Sequence, residues 1–266
     1  MIKILIIIIV ISALLTGGDR TAKSLVTATL NCFLLAGLVF VMSLGINPLL
    51  SGIACSVLIS MTTIFFQNEV NIKTKAAFIS VIITVAISLL LIYLFVNMGH
   101  LQGISTIGDE KFRETNGYSG KIGINMLFVQ IVVFILILMG CVIDAAVAIS
   151  SGMYEILQLN PNIENSSLID SGKNIGQNIL SSNVNTLIFV FVGEYMIMFI
   201  NYLNYYSFTT MINSKDFAQS IIAILISALA CVIIIPVASF ISVNYFKKNQ
   251  SGNHSESTNL NEKIEK

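Results

Sequence analysis

The chain has 266 residues, of which 55% are hydrophobic and 11% charged, and its mean hydropathy is +0.86. A soluble domain carries about 25% charged residues, so the composition excludes one and marks an integral membrane protein with several spans. The 14 basic and 14 acidic residues cancel, which argues against nucleic acid as a partner.

A helix needs about 20 mostly apolar residues to cross the hydrocarbon. Such runs lie near residues 2–16, 25–45, 48–66, 76–97, 126–149, 178–200 and 217–246. They predict an all-α polytopic bundle of about seven spans. The first run is short and resembles a signal-peptide core, but no small-x-small cleavage site precedes Gly17-Gly18-Asp19-Arg20, so it is expected to remain as an anchor. Residues 98–125 form the longest polar connection, in which Asp109, Glu110 and Glu114 balance Lys111, Arg113 and Lys121; they read as a flexible loop or a docking surface. Residues 196–208 either continue the sixth span or lie in the interface, where Tyr195, Tyr202, Tyr205, Tyr206 and Phe208 would anchor. Pro236 is expected to kink the last span. Residues 1–246 thus form the transmembrane domain, and the polar tail 247–266 is expected to be disordered.

Lys and Arg set the orientation. With the C-terminus inside, the inner segments hold Arg20, Lys23, Lys73, Lys75, Lys173, Lys247 and Lys248, and the outer ones Lys3, Lys111, Arg113, Lys121 and Lys215. The short inner loops are richer, so the N-terminus is expected outside and the C-terminus in the cytoplasm. The Ile, Asn and Lys bias suggests a low-GC bacterium, hence a bacterial cell membrane.

The residue that carries chemistry is Asp144. The run Ile131–Ile149 is apolar except there. A carboxylate at such depth costs at least ~2.5 kcal/mol on insertion scales and marks function by default. On a helix its face includes Gln130, Ile137, Gly140, Cys141, Ala148 and Ser151. The next helix offers Gly172, Gly176, Asn183, Thr186 and Gly193 as a matching stripe, and Gly172–Gly176 is a GxxxG. These two helices are expected to pack together, with Asn183 and Thr186 as candidates to hydrogen-bond Asp144. Between them Asn160-Pro161-Asn162 should break the helix, and Ser167 reads as the cap of its restart. Asp144 is then a proton relay or a structural acid. No Lys, Arg or His sits at membrane depth to pair it permanently, which favours a group that binds and releases protons. Glu194 reads as an interfacial acid, and His100 and His254 as incidental. Cys32, Cys55, Cys141 and Cys231 lie in apolar runs without metal-ligand spacing. No metal or cofactor is expected, and they read as packing residues.

Several stretches resemble the YibE/F family of multispanning bacterial membrane proteins, in its shorter YibF-type form. They include Leu30-Asn31, Gly45-Ile-Asn-Pro48, Phe65–Thr74, Gly140–Ser151, Asn160-Pro-Asn162, Ser171–Gly176, Asn185-Thr-Leu187 and Ile235-Pro236. They run in order over residues 25–240. A second resemblance bears on mechanism. Gly140-Cys-Val-Ile-Asp144 is similar to the Gly-x-x-x-Asp of the fourth helix in SecD/SecF-like RND permeases, and Asn183–Ile188 with Gly193 to their next helix. In those permeases the aspartate lies on a proton path. The resemblance implies an RND-permease-like transmembrane core, but the four-residue turn Gly45–Pro48 stands where they hold a large extracytoplasmic domain. It also implies a partner in the bilayer, either a YibE-type membrane subunit or a second copy of the chain.

The expected function is therefore a proton-coupled transport or export component. The alternative is a non-transporting scaffold or assembly factor. An intramembrane enzyme is not expected, since the chain has no second membrane aspartate, no His-Glu-x-x-His and no Gly-x-Ser-x-Gly.

Overall fold

The computed structural model describes residues 2–103, 123–205 and 207–264. Among the described residues seven helices follow one another: α1 (Ile2–Ser43), α2 (Pro48–Met61), α3 (Ile72–Met98), α4 (Met126–Leu159), α5 (Asn165–Tyr205), α6 (Phe208–Ile212) and α7 (Lys215–Ile264). A π turn, Thr62–Phe66, extends α2. The charged core of the connection 98–125 falls at 104–122, outside the described residues. Inside a bilayer a chain must satisfy its own backbone, which leaves helices as the solution for a sequence of this pattern.

Six stretches are long and apolar enough to cross: Gly17–Ser43, Pro48–Phe66, Ile72–Met98, Met126–Leu159, Asn165–Ile197 and Phe217–Lys248. A seventh, Lys3–Leu15, is shorter. It joins the second predicted span end to end in α1, and the only break is Gly18, whose φ of 53° leaves the helical region. A left-handed φ suits glycine because it has no Cβ.

The turns follow local chemistry. Gly45 takes φ 81°, Asn47 accepts from the Leu49 amide, and Pro48 opens α2, where its missing N–H is not needed. Asn71 and Thr74 form a reciprocal capping box on α3. α4 stops at Leu159 and the turn at Pro161-Asn162 follows, as the Asn-Pro-Asn signal predicts. The restart differs from expectation. α5 begins at Asn165, and Ser167 lies inside it, its carbonyl accepting from the Ser171 hydroxyl. The hydrogen bond from the Leu168 amide to the Glu164 carbonyl already closes the first turn, so no cap at Ser167 is required.

Residues 196–205 continue α5; Ser207 then caps the short α6. Pro236 stays within α7, which is traced as helix through the polar segment to Ile264. Two side chains of α7 hold the exit of α3: Lys215 donates to the Gln102 carbonyl, and Gln219 donates to the carbonyls of Leu101 and Gly103. At the other end Lys247 Nζ donates to the Ile163 carbonyl at 3.2 Å.

The bundle centres on α4, which packs against α2, α3, α5 and α7. Close approach comes from small residues. A Cβ on Gly176 would stand 2.7 Å from Ile235 Cγ2 of α7 and 3.1 Å from Ile149 Cδ1 of α4. One on Gly172 would meet Met153 and Ser239, and one on Gly52 would stand 2.2 Å from Val132 Cγ2. Ser150 and Ser242 share a hydrogen bond of 3.0 Å between α4 and α7. α1 is peripheral and touches α2 and the π turn.

Gly176→Leu and Gly52→Leu should each destabilise the purified protein by roughly 1–3 kcal/mol, the usual penalty for overpacking. Gly37→Leu, at a position with nothing within 4 Å, should not. Thermal unfolding in detergent measures this, and equal midpoints for all three would contradict these helix contacts.

Candidate functional site: a carboxyl on the open strip of the central helix

Burial along α4 follows the helical period. Val142, Ala146 and Ile149 are fully buried against neighbouring helices. Val133 and Ile137, each 39% exposed, share the opposite side with Gly140 and Asp144, both also exposed. The intervals of four, three and four residues place all of them on one strip. The most deeply buried of the spans thus keeps one side open, and Asp144 lies on it.

Its depth follows from the helix rise. Asp144 lies four residues past Gly140, the centre of the apolar run 131–149, which is about 6 Å at 1.5 Å per residue. The hydrocarbon core is about 30 Å thick, so the carboxyl sits well inside it.

Neither predicted partner reaches Asp144. Asn183 Nδ2 donates to the Cys141 carbonyl at 3.3 Å, and Thr186 Oγ1 donates to the Ser182 carbonyl of its own helix at 2.9 Å. Both bonds have plain causes. A helical carbonyl keeps a second lone pair after its backbone bond, and a threonine hydroxyl readily back-bonds to the residue four positions earlier. Among the described residues no hydrogen bond or ion pair holds Asp144.

Asn183 instead belongs to a cluster that the sequence does not reveal. The buried side chain of Cys231 lies beside those of Cys141 and Asn183, with Asp144 nearby. The Cys141 thiol donates to the Leu138 carbonyl at 3.2 Å and approaches the Ser227 carbonyl at 3.6 Å. Here α4, α5 and α7 meet. Cys231 was legible only as one small residue among several in Ser227-Ala-Leu-Ala-Cys231. Spacing within one helix cannot show that it faces a cysteine on another.

The glycines divide. Gly172 and Gly176 lie where α5 closes on α4 and α7 together, whereas Gly140 and Gly193 have nothing within 4 Å of a Cβ position. Among the described residues Gly140 therefore makes no close contact, and it widens the strip beside Asp144. Among the described residues no three His, Cys, Asp or Glu side chains are grouped to hold a metal ion.

A family model described as YibE/F-like protein matches residues 5–248. The chain belongs to the YibE/F-like family. No curated protein and no solved structure matches it. Family membership and six apolar spans make it a multi-pass integral membrane protein. None of these comparisons shows the expected likeness to SecD/SecF-like permeases.

The cluster can be checked by cross-linking. In a Cys32→Ser background, Asn183→Cys should form a disulfide with Cys141 or Cys231 under a membrane-permeable oxidant, seen by mass spectrometry. Thr186→Cys should form none within the chain. Efficient linkage from position 186 rather than 183 would show that α5 is rotated away from this arrangement.

Proposed function

We propose that this YibE/F-like protein is a proton-coupled transport or export component of a bacterial cell membrane, and that Asp144 is its proton relay. The observation that carries this reading is a carboxyl at membrane depth, on an open strip, that no described group holds. A structural acid is expected to be tied to its neighbours, because an unsatisfied buried polar group is expensive. Here Asn183 bonds the Cys141 carbonyl and Thr186 a carbonyl of its own helix instead. A carboxyl free of packing duties can change its charge without dismantling a helix contact.

The same strip supports a partner. Lipid against Asp144 is costly, whereas a second membrane chain could cover Val133, Ile137, Gly140 and Asp144. The chain offers no Lys, Arg or His at that depth, so a different subunit of YibE type fits better than a second copy. Such a subunit would bring the missing base or hydrogen-bond donor, and the absent extracytoplasmic domain could belong to it. In this reading the protein is not an enzyme and needs no cofactor. The C-terminus lies in the cytoplasm, which puts Lys23, Lys73, Lys75, Lys173 and Lys247 on the inner side, in keeping with the charge rule.

Asp144→Asn keeps the shape but cannot exchange a proton at physiological pH. It should abolish function, read from any phenotype of the deletion, at unchanged membrane abundance and partner recovery. Asp144→Glu should retain part of the function with a displaced pH optimum. A fully active Asp144→Asn protein would remove the relay and leave a scaffold or assembly factor as the better reading.

A further inference from the structure

A cleft of about 690 Å³ opens at the end of the bundle that carries the Gly18 break, the 67–71 connection and the last turns of α4. Its walls are polar and hold charges of both signs. Asp19 and Lys23 of α1, Glu69 and Lys73 beside the start of α3, and Ser151 and Glu155 of α4 all line it. Lys23 Nζ lies 3.0 Å from Glu69 Oε1, which ties α1 to the far wall. Gln67 Nε2 donates to Ser24 Oγ at 2.9 Å on the same side. An enclosure of this size with so many ionic and amide groups holds water, because such groups are not left dry.

The floor of the cleft continues the strip of Asp144. Asp144, Ala148, Ser151 and Glu155 follow at intervals of four, three and four residues, so they share one side of α4. Ser151 stands about 10 Å from Asp144 along the axis, two helical turns. On α4 itself the residue between them on this side is Ala148, which has a small side chain, and both Ala148 and Ser151 are partly exposed. In the other direction the strip is lined by Gly140, Ile137 and Val133 and is apolar as far as Gln130.

We infer that this cleft is a one-sided aqueous vestibule that delivers protons to Asp144, with Ser151 and Ala148 forming its throat. The inference rests on the relay reading for what travels, while the route itself follows from the geometry. Water enters among the charged walls, passes Glu155 and Ser151, and reaches the carboxyl from this end alone. The groups facing the route are Asp19, Lys23, Glu69, Lys73 and Glu155 at its mouth, and Cys141, Cys231 and Asn183 beside Asp144.

The test uses single cysteines in a full-length protein from which the four native cysteines have been removed, in membrane vesicles of both orientations. The probe is a cationic, membrane-impermeant methanethiosulfonate, and N-ethylmaleimide after denaturation counts the thiols that remain. Glu155→Cys, Ser151→Cys and Ala148→Cys should be modified from the side that bears residues 19–24, at rates falling with depth. From the opposite side their modification should be at least tenfold slower. Val133→Cys and Ile137→Cys should stay unmodified from either side. If Glu155→Cys reacts and both Ser151→Cys and Ala148→Cys do not, the cleft ends at its mouth and the vestibule is wrong. If Ile137→Cys reacts as fast as Ala148→Cys, the strip is wet throughout and one-sided access is wrong. These rates do not depend on transport, so the vestibule stands or falls separately from the activity of Asp144→Asn.

Discussion

Helix α4 is wedged between α2, α3, α5 and α7, and that confinement governs the rest of the molecule. Lipid tails are as apolar as leucine, so burial of hydrocarbon does not by itself draw membrane helices together. Packing and small residues must do so. Gly52, Gly172 and Gly176 remove the side chains that would hold neighbours off, and a serine pair, Ser150 with Ser242, adds a hydrogen bond across one seam. With most sides of α4 occupied by tight contacts, a charged residue can stand only on the side left open. Asp144 occupies that side, and Gly140 beside it adds no bulk.

α1 is held in a different way. It lies against α2 and the π turn rather than in the core, and polar clasps fasten it. Asn31 accepts from Thr62 Oγ1 at 2.7 Å and donates to Thr63 Oγ1 at 3.0 Å. A π turn places an extra residue in one turn of helix, and here two successive threonines reach a single asparagine. Further along, Ser24 with Gln67 and Lys23 with Glu69 extend the seam to the cleft. Apolar packing thus builds the centre, while hydrogen bonds and an exposed ion pair position the peripheral helix that walls the cleft.

Much of this architecture is legible in the sequence because the bilayer imposes one-dimensional rules. Runs of about 20 apolar residues mark crossings, and Asn-Pro-Asn, Gly-x-Asn-Pro and the polar 67–71 segment mark the breaks. The first run is where length misleads: Lys3–Leu15 is apolar enough to register but falls short of a full crossing, and it merges into α1. Candidate residues are legible as types and as faces of a single helix. Their partners are not, because rotation about each axis is set by all neighbours together. The stripe of Gly172, Gly176, Asn183 and Thr186 predicts contact with α4, but α5 packs on α7 as well. That third helix brings Cys231 to Asn183, and among the described residues no hydrogen bond reaches Asp144. Ser151 and Glu155 likewise gain meaning only once residues 19–24 and 67–73 are folded beside them.

The bond from Asn183 to the Cys141 carbonyl separates two tasks that the sequence places at one spot. The hydrogen bond between α4 and α5 uses a backbone acceptor, whose strength does not depend on the protonation of any side chain. Asp144, three residues on, is spared from that contact. Had Asn183 bonded the carboxylate instead, each protonation would have weakened the joint between two spans. A relay in such a joint would loosen the bundle each time it took up a proton. With the joint made by the backbone, the energetic consequence of a charge change falls on the open strip and on whatever covers it. A covering chain would therefore sense the protonation of Asp144 directly, and the bundle behind it would serve as the rigid wall against which that chain moves.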